Sequence, residues 1–521
     1  MITINGNQLA IEQVVRVSRN HEIVSLAEDS RQQVQQANQW IQSIISQEKP
    51  VYGINTGFGI FADRLISNND AARLSRNLIL SHAVGTGDPL AEEVVRAAIL
   101  IRANTLAKGH SGVRPIVIDT LLEMLNKGIT PVIPSQGSLG SSGDLAPLSH
   151  LALVFTTDLE GNEADSGFAV YRGKRMTGRA AMLAAGIQPI ILGPKEGLAV
   201  SNGATFSAAI AALAVADARN LLSTASITLS MSLEALKGVS TAFDPRLHLV
   251  RPHPGQISVA TDIRALILGS TLIDSDGRVQ DAYSLRCAPQ VQGAAVDALD
   301  FIQALIEREI NSATDNPLLF SEGLALSGGN FHGEPIGMAM DFLGVAIAEV
   351  AGISERRIFR LTDGKLNADL PPMLVDTPQA AGLNSGKMLP QYTAASLVLE
   401  NQTLASPDSV YSLPTSAEQE DHNANSMTAA RHARQIVANT SHVLAIEAYT
   451  AARALDIRMR DAPATVLGAG TGAAHQIIRD RVPYQAGDAW WAPEIEQVKS
   501  LIVSGEFVHT VQSAIDGSHH S

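Results

Sequence analysis

The chain has 521 residues, 45% of them hydrophobic and 17% charged, with a formal net charge of −14 at pH 7. That acidic balance excludes the basic footprint of a nucleic-acid binder, and a single cysteine, Cys287, excludes a disulfide framework and a multi-cysteine metal site. The length suits roughly two to four domains or one large elongated architecture, and the cytoplasm is the expected compartment. The N-terminal MITINGNQLAIEQVVRVSRN has neither a basic start nor a continuous apolar stretch, so no targeting segment is expected. The most lipid-like run, 203–222, is interrupted by Asp217 and Arg219 and reads as a buried core helix rather than a membrane span.

In chain order, residues 1–50 alternate apolar and polar at helical spacing after a short ITING opening. VYGINTGFG follows, its glycines marking a sharply bent loop; it is either a plain surface loop or a lid carrying Tyr52 over a site. A phenol has a pKa of about 10, so Tyr52 would need a lowered value to act as a general base. His82 sits between an apolar helix and a glycine turn in NLILSHAVGTG, as a satisfied core histidine or a binding group. Residues 88–130 read as helices. Then PSQGSLGSSGDLAPLSH, 134–150, sets Gly137, Gly140 and Gly143 at three-residue spacing among serines, a tight loop feeding a buried helix with Asp144 near its N-cap. It lacks the glycines of a nucleophile elbow and the lysine of a phosphate loop.

Further on, 160–196 suggests a hairpin around FAVYRGKRM, and Asn202-Gly203 stands at the mouth of a helical run to about Leu236. Residues 239–276 hold the prolines and glycines of a long connection. If RVQDAYSLRCAPQ is helical, Tyr283 and Arg286 share a face with Gln280 one turn earlier, and an arginine there could bind a carboxylate through two hydrogen bonds. Long helices are expected over 295–310 and 334–360. His332 and Glu334 do not converge as metal ligands, and no metal is expected. Lys387 is either solvated or a cation near a substrate. GAGTGAAH, 468–475, lacks the preceding strand of a dinucleotide site and reads as a helix-linking loop. One amphipathic helix is expected over 494–516.

GSLGSSGDLAPLSHLAL resembles the cofactor-forming segment of the aromatic amino acid ammonia-lyases, which usually reads Ala-Ser-Gly-Asp. The likeness runs on through Tyr52, the Ser81-His82 pair, Q-D-A-Y-S-L-R-C-A-P-Q at 280–290 and SLPTSAEQEDHNANSM at 412–427. It implies a mainly α fold: a cofactor-bearing N-terminal domain, 1–200, followed by a bundle of long antiparallel helices over 201–521. It also implies a built-in 4-methylidene-imidazol-5-one, cyclised from Ser141-Ser142-Gly143 with Asp144 assisting, and no external cofactor. Ser141 replaces the usual alanine; its side chain is only a ring substituent, so cyclisation is expected to survive. The resemblance makes Tyr52 the base and Ser142 the electrophile, with Tyr283 and Gln280 supporting cofactor and charge. Asn202 and Arg286 hold the amino acid, Phe331 packs near the cofactor, and His82 and Glu420 read the ring. Family members are homotetramers whose sites combine loops from three subunits.

The Ser-His pair, which occurs in histidine lyases and in some tyrosine-using members, implies a substrate with a polar ring, and Glu420 matches the histidine-lyase version of its motif. Counted forward from Pro414, Glu420 takes the ring-reading place; counted backward from Met427, across two extra residues, His422 does. The forward count needs no gap and is preferred. The activity expected is therefore ammonia elimination from L-histidine, giving urocanate. A tyrosine or phenylalanine lyase, a 2,3-aminomutase on the same cofactor and a non-catalytic helical scaffold are the alternatives. The fumarase type is disfavoured because its G-S-S-x-M-P loop is absent.

Overall fold

Apolar residues at helical spacing dictate most of the secondary structure. The computed structural model describes residues 1–46, 51, 53–56, 66–67, 70–158 and 160–518. The protein is mainly α-helical, 61% helix with few strands. By compactness it divides into two units, Met1–Ala216 with Gln303–Asp341 and Pro407–Arg431, and Asp217–Ile302 with Phe342–Ser406 and His432–Ser521. Each unit draws on three stretches of chain, whereas the sequence suggested a single cut at residue 200. The division falls inside helices as long as Ser426–Asp461, which show no break in sequence at that point.

In the first unit, Ile2–Ile4 pairs in parallel with Val24–Leu26. Helix Glu28–Ser46 places Ala37, Ile41, Ile44 and Ile45 on one face, where they pack with Ile54 and Leu319. Pro115 opens helix Pro115–Lys127 with its missing N–H at a position that needs none, and Gly128 closes it in the left-handed conformation (φ 73°). The hairpin around FAVYRGKRM is present, Phe168–Tyr171 against Lys174–Thr177, with Ile129–Pro131 as a third strand. Helices Ala71–His82, Leu145–Phe155 and Glu196–Ser201 pack on one another. Beneath them Lys195 forms an ion pair with Asp315, both side chains fully buried, and Ser111 Oγ donates to Asp315 at 2.7 Å.

The second unit is held by a buried carboxylate. Glu447 accepts from Arg357 Nε at 2.5 Å and Nη2 at 2.8 Å, and from Thr228, Ser232 and Ser354 hydroxyls at 3.0, 2.8 and 2.6 Å. These donors lie on helices Thr205–Ala235 and Glu334–Thr362, so one side chain of Ser426–Asp461 ties three helices. Around it pack Ala351, Ile358, Ala394, Val398, Val443 and Ile446. Thr205–Ala235 and Glu334–Thr362 are apolar and long enough to cross a membrane by composition alone, but their most apolar windows are 78% and 61% buried, as in core helices.

Three local expectations need revision. GAGTGAAH is not a linking loop: Gly468 is the N-cap of helix Ala469–Arg481, which follows helix Ser426–Asp461 and a short loop. The closing segment is two helices, Trp491–Val503 and Glu506–Ser518, because Gly505 takes a left-handed φ of 80° between them. The 239–276 connection contains a full helix, Pro254–Leu266.

Lys387 is not solvated. It is 1% exposed, and its Nζ lies 3.7 Å from the Tyr449 ring centre and 3.3 Å from that of Trp491. Burial, then Arg453, pushes the amine down to about 6 against the pull of Glu494. A lysine lowered on folding binds fewer protons folded than unfolded between that value and its ordinary 10.5. Its cost to stability is therefore full below about pH 6 and fades as pH rises. Lys387→Met should raise Tm, and by more at pH 6 than at pH 9, when thermal unfolding is followed by circular dichroism.

Candidate active site

The 134–150 loop is shaped by two glycines from distant stretches. Gly143 (φ 74°) and Gly203 (φ 114°) lie backbone to backbone: Asp144 N donates to Gly203 O at 2.9 Å and Gly203 N to Ser142 O at 3.2 Å. A Cβ on Gly143 would stand 2.0 Å from the Gly203 carbonyl carbon, and one on Gly203 would stand 2.6 Å from Thr314 O and 3.0 Å from Arg102 Nη2. No side chain fits at either position. Arg102 is fully buried, bonded to Ala199 O at 3.1 Å and Thr205 Oγ1 at 2.5 Å, and burial lowers its guanidinium to about 10.

Asp144 stands at the N-cap of Leu145–Phe155 but does not cap that helix. Its carboxylate accepts from Ser207 N at 2.8 Å, Ser207 Oγ at 2.9 Å and Ser138 Oγ at 2.8 Å. Ser207 N is a free donor in the first turn of Thr205–Ala235, so Asp144 caps a neighbouring helix rather than its own. The carboxyl is completely buried; desolvation raises its pKa, and hydrogen bonds from Ser207, Ser138 and the Phe206 backbone pull it back.

Between these anchors the serine pair faces a carboxylate. Ser142 O accepts from Asn202 Nδ2 at 2.7 Å as well as from Gly203 N. Ser142 Oγ donates to Glu420 Oε1 at 2.7 Å, and Ser141 Oγ to Glu420 Oε2 at 3.1 Å. Glu420 is delivered by a tight turn in which Thr415 and Glu420 exchange backbone hydrogen bonds of 2.8 and 3.2 Å. Ser416, Ala417 and Glu418 are all left-handed inside it (φ 52°, 54° and 67°), strain of about 1–3 kcal/mol each for non-glycine residues. Asn202 Oδ1 is buried without a donor among the described residues.

Neighbouring loops are stitched to the same segment. Gly333 N donates to Gly140 O at 2.9 Å, Asn425 N to Leu139 O at 2.7 Å, and Ser207 Oγ lies 2.9 Å from Ser426 Oγ. The residues after His422 form a hydrogen-bonded splice: Asn423 Oδ1 accepts from Leu413 N at 3.1 Å, and Asn425 Nδ2 donates to Tyr411 O at 2.6 Å. His422 stacks on His332, ring centres 5.9 Å apart, and His332 Nε2 lies 3.2 Å from the His422 carbonyl.

Of the residues singled out in sequence, Ser141, Ser142, Gly143, Asp144, Asn202 and Glu420 meet in one hydrogen-bonded constellation. His82 ends helix Ala71–His82 with Nδ1 2.9 Å from Ser81 Oγ, and Phe331 is half-buried two residues before Gly333; no described hydrogen bond joins either side chain to the constellation. Tyr52 lies outside the described residues. In the second unit, Gln280 is not a helical turn before Tyr283, because the helix there is only Tyr283–Arg286 and Gln280 precedes it in a loop. Gln280 and Arg286 line a cleft of about 440 Å3 with Val239, Thr241 and Asp281. The Arg286 guanidinium lies 4.7 Å over the Tyr283 ring, which is 70% exposed, and Arg286 Nε is buried without an acceptor among the described residues.

Sequence reading missed Arg102, Ser138, Ser207 and Ser426. Arg102 had a signal, a charge inside the apolar run VVRAAILIRANTLA. The serines had none, because a hydroxyl is at home in any loop or helix terminus.

A family model described as aromatic amino acid lyase matches residues 9–480. The chain belongs to that family. It is 48% identical to the histidine ammonia-lyase of Alkaliphilus oremlandii over 99% of both chains. Among solved structures, histidine ammonia-lyase from Trypanosoma cruzi superposes with a TM-score of 0.90 at 36% identity, covering 98% of this chain and 95% of that one. Tyrosine aminomutase from Streptomyces globisporus gives 0.91 at 35% identity over 98% of each. Asp144→Ala strips acceptors from buried donors, so it should lower stability by about 2–3 kcal/mol, seen as an earlier midpoint in chemical unfolding.

Proposed function

We propose that the protein is a cytoplasmic histidine ammonia-lyase that converts L-histidine to urocanate and ammonia. The observation that carries this reading is the convergence of the Ser142 hydroxyl, the Asn202 amide and the Glu420 carboxylate at one point of the constellation. Identity near one half with enzymes of that name supports the choice of substrate.

The segment suits a 4-methylidene-imidazol-5-one made from Ser141-Ser142-Gly143. Cyclisation needs the Gly143 nitrogen close to the Ser141 carbonyl carbon, and residue 143 has no room for a side chain. Such a ring would supply an electrophilic carbon, derived from Ser142 Cβ, for a substrate amine. Asn202 Nδ2 and Gly203 N, both donating to Ser142 O, stabilise negative charge on that oxygen. Arg286, whose buried Nε has no acceptor among the described residues, is suited to the substrate carboxylate. Glu420 accepts the imidazole N–H, with His82 and Phe331 beside the ring; Tyr52 removes the β-proton, and Gln280 and Tyr283 support the developing charge. Holding amine, carboxylate and ring together removes much of the entropic barrier, up to about 7–11 kcal/mol for well-oriented groups.

A homotetramer fits the surface of the second unit, whose helices expose Phe342 (47%), Leu389 (57%) and Leu399 (64%). Residues Ser142 and Arg286 then act from different subunits. The second reading, a 2,3-aminomutase, is favoured by the likeness to tyrosine aminomutase.

Purified protein given L-histidine, L-tyrosine and L-phenylalanine separately should raise urocanate absorbance and ammonia with L-histidine alone. A β-amino acid product would establish the aminomutase instead. Ser142→Ala should remain folded, keep its full unmodified mass and lose turnover. Mixed tetramers of Ser142→Ala and Arg286→Ala subunits, made by co-expression, should recover activity that neither variant has alone.

A further inference from the structure

The two hydroxyls on Glu420 have different fates, and this gives Ser141 a role of its own. Among the described residues, the donors to the Glu420 carboxylate are Ser142 Oγ on Oε1 (2.7 Å) and Ser141 Oγ on Oε2 (3.1 Å). Ser141 is 6% exposed, so water competes little for its hydroxyl. The backbone of Glu420 is already fixed by its bridge to Thr415, which leaves the side-chain torsions as the remaining freedom.

Ring formation removes two waters from the segment. One takes the Ser141 carbonyl oxygen with the amide hydrogens of Ser142 and Gly143. The other takes the Ser142 hydroxyl with its α-hydrogen. Oε1 of Glu420 therefore loses its donor at the moment the electrophilic carbon is made beside it. Ser141 keeps its hydroxyl, now on a substituent of the ring, and with it the bond to Oε2.

Resting on the lyase reading above, we infer that Ser141 is a positioning residue for substrate recognition: its hydroxyl pins Oε2 of Glu420 so that Oε1 alone faces the substrate as a fixed acceptor. A carboxylate held by one oxygen presents the other in a defined direction and loses less freedom when a ligand N–H arrives. With the alanine usual in the family, both oxygens would be released together and the carboxylate would have to be ordered by the ligand.

The test uses the mature enzyme and intact mass, so that ring formation is read separately from binding. Ser141→Ala and Ser141→Gly should show the same water loss as the natural chain. Both should bind urocanate about three- to tenfold more weakly in titration calorimetry, with KM for L-histidine raised by more than kcat is lowered. Ser141→Thr, which keeps a hydroxyl, should restore the affinity. In a Glu420→Ala background, removing the Ser141 hydroxyl should have no further effect, because the two act as one unit. Unchanged urocanate affinity in the mass-verified Ser141 variants, or an equal loss in the Glu420→Ala background, would overturn the inference. Failure of the natural chain to lose water or to turn over L-histidine would instead refute the lyase reading.

Discussion

The contact between the backbones of residues 143 and 203 is the constraint on which the site depends. It exists because both are glycines in left-handed conformations, and any Cβ would collide with backbone 2.0 to 2.6 Å away. From this one close approach follow the two hydrogen bonds between the segments and the two donors aimed at Ser142 O. Residues sixty apart in sequence are thereby held at hydrogen-bonding distance with no side chain intervening. The same absence of a Cβ that allows this packing also leaves the Gly143 nitrogen unencumbered.

Several buried carboxylates are met by donors placed for them. Asp144 is enclosed by Ser138 and by both donors of Ser207, and Asp315 by Lys195 and Ser111. Glu447 repeats the device in the second unit with five donors from three residues' hydroxyls and one arginine. Removing one partner from such a group leaves an uncompensated buried charge, a cost of about 3–5 kcal/mol for an ion pair. Glu447 in this way ties together the three helices that supply it and its donors. Lys387 is held differently, caged by the rings of Tyr449 and Trp491.

The Glu420 turn places strain beside the serine pair. Three consecutive left-handed residues without glycine are held by the exchange of hydrogen bonds between Thr415 and Glu420. Immediately downstream, Asn423 and Asn425 tie the loop to Leu413, Tyr411 and Leu139. On the forward count from Pro414, the two residues that lengthen this segment relative to the histidine-lyase pattern lie after His422, in that splice. The stretch from Pro414 to Glu420 is left at the length that brings the carboxylate, not the histidine, to the serine pair.

Local chemistry was legible in the chain itself. Helical spacing gave the long helices, and the turn residues around FAVYRGKRM gave the hairpin at 168–177. The ordered motifs gave the family, and with it most of the constellation. Where local signals were ambiguous the reading slipped: Gly505 passed for a helix interior, and Gly468 for a loop, because glycine is permitted in either. What only the tertiary structure decided is which donor meets which acceptor across long separations. Asp144 reads as a cap for its own helix and instead serves Ser207; Lys387 reads as either solvated or near a substrate and is enclosed by Tyr449 and Trp491; Ser141 reads as a spectator and bonds Glu420. Periodicity and propensity are properties of neighbouring residues and so are written in the sequence. A hydrogen bond between residues 141 and 420 is set by how whole helices and loops pack, and no local pattern encodes it.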